Sequence, residues 1–100
     1  MSNLDYVVKA INKTLDPEKI ILFGSSLSKK GNDLDVAVVQ KSKPTLGQKA
    51  EVFLALEKLG YGWDIEPDIH IFSSKDFEKK LTSGDLFVKE VSKGRTIYAQ

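Results

Sequence analysis

The sequence predicts a single α/β (α+β) domain: a mixed sheet of about four strands with helices mainly on one face. Three observations lead there. Short apolar runs, long enough for strands and too short for helices, recur at 19–23, 34–39 and 68–72. Apolar residues at helical spacing lie before and between them. A chain of 100 residues with 41% apolar side chains has material for one modest core and no second one, so residues 1–100 are read as one domain.

Leu4, Val7, Val8, Ile11 and Leu15 recur at helical spacing and predict an amphipathic helix over 3–15, stopped by Asp16-Pro17. Lys19 to Phe23 is the first strand, ended abruptly by Gly24-Ser25-Ser26. Gly31-Asn32 marks a turn before the second strand, Leu34 to Val39. After a polar link from Lys41 to Pro44, Thr45 is the expected N-cap of a second helix. Ala50, Phe53, Leu54, Leu56 and Leu59 mark that helix, and Gly60 closes it. Pro67 opens a third strand, Asp68 to Phe72. Ser73-Ser74 suits the cap of a short helix over 75–82, and Ser83 or Asp85 that of another over 86–92, ended by Gly94. Thr96 to Ala99 completes the order α-β-β-α-β-α-α-β as an edge strand.

The formal net charge of +1 argues against general nucleic-acid or membrane binding, which needs a basic excess. Every basic residue except Arg95 is a lysine, so the planar fork that grips phosphate bidentately is almost missing. With no cysteine, disulfides, thiolate metal sites and cysteine nucleophiles are excluded. His70 alone cannot build a multi-histidine site. No apolar run approaches the roughly 20 residues that span a bilayer, and the opening MSNLDYVVKA has no signal-peptide pattern. The expected setting is the cytoplasm.

The chemistry is concentrated in ILFGSSLSKKGNDLDVAVV, residues 21–39. Strand alternation is expected to put Asp33 and Asp35 on one face, with Leu34 and Val36 on the other. Two neighbouring carboxylates repel unless a cation lies between them. Oxygen ligands without histidine or cysteine favour Mg²⁺ or Mn²⁺. Gly24 permits close approach of a ligand, and a helical turn starting at Ser25 would offer N–H groups and a hydroxyl to an anion. Phosphate held beside metal is what phosphoryl-group chemistry requires. In EPDIHIF, Asp68 and His70 share a face, and Asp68 is placed to complete a three-carboxylate site.

Plainer readings stand beside these. Gly-Asn-Asp is common turn chemistry, Pro-Asp opens strands, and loop lysines are often simply solvated. His70 and Trp63 can be packed rather than meet a nucleotide. Leu86, Phe87, Val88 and Val91 read mostly as core, with Phe87 or Val88 able to face a partner.

The pattern GSS…DLDVAVV followed by PDIHIF resembles the polymerase-β-type nucleotidyltransferase superfamily, specifically its stand-alone minimal nucleotidyltransferase domains. The resemblance covers most of the chain, to KGRTIYA at its end. It implies that Gly24 and Ser25 form the phosphate corner, and that Asp33 and Asp35 are metal ligands. It makes Asp68 a third ligand that also draws the proton from an attacking hydroxyl. Ser26, Lys29 and Lys30 extend the nucleotide-binding set. The loop Ser26–Asn32 is shorter than the family's usual one and carries lysine in place of arginine. The resemblance further implies transfer of a nucleoside monophosphate, AMP from ATP, to a hydroxyl of a protein or other acceptor. A helical partner of the HEPN type is implied too, in some pairs as antitoxin and toxin. A domain this small closes one side of a nucleotide, so self-association is also expected. The alternative is a non-catalytic nucleotide-binding or antitoxin subunit of the same fold.

Overall fold

The computed structural model describes residues 1–27 and 33–100. Helix α1 (Asn3–Thr14) starts at a capping box. The Ser2 hydroxyl accepts the Asp5 N–H (3.1 Å) and the Asp5 carboxylate accepts the Ser2 N–H (3.0 Å), so two otherwise orphan donors are satisfied. Its buried residues are Val7, Ala10 and Ile11. Strand β1 runs Pro17–Phe23, two residues longer at its start than the apolar run indicates, and a 3-10 turn, Gly24–Leu27, follows it directly. Strand β2 is Leu34–Gln40.

Helix α2 (Gln48–Leu59) differs from expectation at its start. The N-cap is Gly47, without a side-chain cap, rather than Thr45. The Gln48 side chain explains the shift. Its Oε1 accepts the Thr45 N–H (3.0 Å) and an N–H of the buried Gln40 amide (3.0 Å), so Thr45 is tied to the first helical residue from outside. Gly60 ends α2 in the left-handed region at φ 82°, as anticipated.

Strand β3 (Pro67–Ser73) leads into α3 (Ser74–Thr82), where the Ser73 hydroxyl accepts the Asp76 N–H at 3.1 Å. Asp85, not Ser83, caps α4 (Leu86–Ser92) by accepting the Val88 N–H at 2.9 Å. Strand β4 is Arg95–Ala99.

The sheet order is β3-β2-β1-β4, with β2 and β3 parallel and the other pairs antiparallel. A parallel pair needs a crossover, and α2 supplies it. The radius of gyration, 13.1 Å, matches the roughly 13 Å of a compact 100-residue chain.

The helices do not gather on one face. On one side α1 and α2 pack over Ile20, Leu22, Val36, Val38 and Ile69. On the other, α3 and α4 bring Phe77, Val88 and Val91 against Ile21, Phe23, Ala37 and Val39. The expectation of helices mainly on one face is therefore corrected to a sheet with two helices on each side. The physical reason was in the strands. Central strands buried on both faces read as unbroken apolar runs, as IILF and VAVV do.

Candidate functional site

Strand β1 delivers the chain to Gly24, whose φ of 65° lies in the left-handed region. A Cβ there would stand 3.0 Å from Asp35 Oδ2, so the backbone passes close beneath this carboxylate. The next two residues tie the corner to the start of β2. The Ser25 hydroxyl donates to Asp33 Oδ2 at 2.8 Å and lies 3.4 Å from Asp35 Oδ2. The Ser26 hydroxyl accepts the Asp35 N–H. Gly24, Ser25 and Ser26 thus hold both aspartates against the corner.

Asp33 sits just before β2 and is exposed, while Asp35 is the half-buried second residue of that strand. Asp33 lies just outside the strand, and its carboxylate and that of Asp35 both reach the Ser25 hydroxyl. Asp35 pairs with Phe23 of β1 on one side and with Asp68 of β3 on the other. The parallel register continues Ala37 to His70 and Val39 to Phe72. By alternation, Asp35 and Asp68 lie on the face covered further along by α3 and α4.

Asp68 is exposed, and its Oδ2 is 3.2 Å from His70 Nε2. The imidazole makes a three-ring cluster with Phe23 and Phe87, 5.8 Å from the first and 5.0 Å from the second between centroids. The structure therefore brings Gly24, Ser25, Ser26, Asp33 and Asp35 into one connected corner, with Asp68 on the adjoining strand. Among the described residues, however, no three His, Asp or Glu side chains converge closely enough to hold one metal ion. Lys29 and Lys30 lie outside the described residues.

Trp63 belongs elsewhere. It packs against Phe53 and Tyr61 on the α1–α2 side and donates its indole N–H to Glu57 at 2.8 Å. Of the apolar stripe in α4, Val88 and Val91 are core, whereas Leu86 and Phe87 face outward. What sequence reasoning missed is that Phe87 packs, tilted by 60°, against the histidine that bonds Asp68. Helical spacing puts Phe87 one turn before Val91 on the same side of α4, but it does not say which strand α4 crosses. Two surface hollows are remote from this corner in composition: one lined by Lys13, Thr14, Glu51, Leu54, Ala55 and Lys58, the other by Lys43, Ser73, Lys75, Asp76 and Lys79.

Comparison with protein-family models, curated proteins and solved structures finds no match. Among the described residues, no helix is long and apolar enough to cross a membrane. Fold and site together define a compact α/β domain with a carboxylate-rich corner at one end of a mixed four-stranded sheet.

Proposed function

We propose that the chain is a minimal nucleotidyltransferase of the polymerase-β type, a cytoplasmic enzyme that moves AMP from ATP to a hydroxyl of an acceptor. The observation that carries this reading is the pairing of Asp35 with Asp68 on parallel strands, with Asp33 drawn to the same corner by Ser25. Mg²⁺ commonly binds through one or two carboxylates and completes its shell with water and substrate phosphates. Asp33 and Asp35, reached by a single hydroxyl, fit that demand, with Mn²⁺ as the other candidate. When bound, the ion supplies positive charge to offset that of the triphosphate.

Asp68 stands on the neighbouring strand with an exposed carboxylate, positioned by His70. Its role is to accept the proton of the acceptor hydroxyl as that oxygen bonds to the α-phosphorus. The bond from that phosphorus to the bridging oxygen breaks, and pyrophosphate leaves. Gly24 leaves room under the Asp35 carboxylate, and Ser25 and Ser26 present hydroxyls beside it; with Lys29 and Lys30 they are the residues we assign to the phosphates.

A second reading, a nucleotide-binding, antitoxin or regulatory subunit without turnover, is favoured by one observation. Among the described residues no three His, Asp or Glu side chains group closely enough for one metal ion, and Asp68 lies 3.2 Å from His70. Label transfer separates the two. With α-labelled ATP and Mg²⁺, the enzyme should pass label to its acceptor, tested with a helical protein of the HEPN type and with a second copy of this chain. Asp68→Asn should abolish transfer and leave ATP binding largely intact. Asp33→Asn combined with Asp35→Asn should abolish Mg²⁺-dependent ATP binding, measured by calorimetry. Unchanged binding in that double variant rejects the site. Binding without transfer to any acceptor selects the second reading.

A further inference from the structure

Phe87 is 44% exposed, although it is the second residue of a helix whose Val88 and Val91 are buried. It is not a stray apolar residue. Its centroid lies 5.6 Å from Phe23 at 82°, 5.0 Å from His70 at 60° and 6.4 Å from Phe72 at 37°. These contacts fix the ring from behind. Phe23 is the strand partner of Asp35, and His70 holds Asp68. A rigid, part-exposed aromatic surface therefore adjoins both aspartates through one residue each.

We infer that Phe87, backed by His70 and Phe23, is the surface on which the base of a bound nucleotide stacks. The inference rests on the nucleotide reading above and adds the base-binding residue to it. Carboxylates and a Gly-Ser corner can address only the phosphates. The base needs a flat, apolar, pre-ordered partner, and aromatic stacking serves any base because each has a π-face. Holding the ring by three neighbours removes most of the ordering cost on binding. Leu86, 82% exposed beside it, extends the apolar surface.

The test compares ATP with inorganic triphosphate, each with Mg²⁺, titrated by calorimetry into the wild-type chain and into Phe87→Ala and Phe87→Leu. Circular dichroism checks that each variant is folded, and Leu preserves the helix packing if Ala does not. The expected result is about a tenfold loss of ATP affinity in a folded variant, with triphosphate affinity unchanged. ATP binding indifferent to both substitutions overturns the inference while leaving the nucleotide reading intact. Parallel loss of both ligands overturns it as well, because Phe87 would then only support the acidic corner. A dimer that dissociates in the variants with unchanged ATP binding assigns the ring to self-association instead. Failure of both ligands to bind the wild-type chain removes the nucleotide reading itself and this inference with it.

Discussion

Gly24 carries two constraints at once. Its backbone is left-handed, and Asp35 Oδ2 stands 3.0 Å from where a Cβ would be. Alanine at such a φ costs roughly 1 kcal/mol, and here it also meets a carboxylate. Gly24→Ala should therefore lower the melting temperature by at least about 4 °C in a domain of this size. It should also move the Asp35 carboxylate, which shows as a loss of Mg²⁺-dependent ATP binding larger than the stability change explains. A variant with wild-type melting and wild-type binding contradicts the close approach. The value of the sequence at this level was high for residue identity and low for geometry. Gly24, Ser25, Asp35 and Asp68 were recognisable by type and order. That the Ser25 hydroxyl would point at Asp33 was not, because hydroxyl direction depends on which acceptors tertiary folding brings near.

Among the elements, α1 was the most legible, since its apolar spacing and its Ser2–Asp5 pair both belong to local sequence. Its capping box makes a pH-dependent contribution. The Ser2 backbone N–H, and then its hydroxyl, interact with Asp5 and hold its carboxyl below the ordinary aspartate value. A carboxyl lowered in the folded state stabilises above its unfolded pKa of about 3.9, and the benefit fades as pH falls through the lower folded value. Ser2→Ala should cost about 1 kcal/mol at neutral pH, read by thermal melting, and this penalty should shrink under acid conditions. Asp5→Asn should flatten the acid dependence of α1 seen by hydrogen exchange; no change in that profile refutes the capping role. Helix α2 was less legible at its start, because the buried Gln40–Gln48 contact that displaces Thr45 links residues eight apart through the fold.

The two packed faces share the sheet between them, and this sets how the chain unfolds. Phe77 is 2% exposed on the α3–α4 side, and Trp63 reports from the α1–α2 side. Truncating a buried phenylalanine costs about 3–5 kcal/mol, a large part of the 5–15 kcal/mol typical of a small domain. Because β1 and β2 contribute to both cores, Phe77→Ala should lower the denaturation midpoint equally by Trp63 fluorescence and by circular dichroism. Separate transitions by the two probes show instead that the faces unfold independently.

Sequence alone determined the order of elements, their approximate limits and the exclusion of cysteine chemistry. Each of these follows from local pattern or composition. Tertiary structure decided the rest: two helices on each face, the in-register pairing of Asp35 with Asp68, the turn of Asp68 toward His70, and the seat of Phe87 on that imidazole. Strand partners and helix crossings join residues far apart in the chain, and hydrophobic burial, which selects them, has no direction until the sheet provides one.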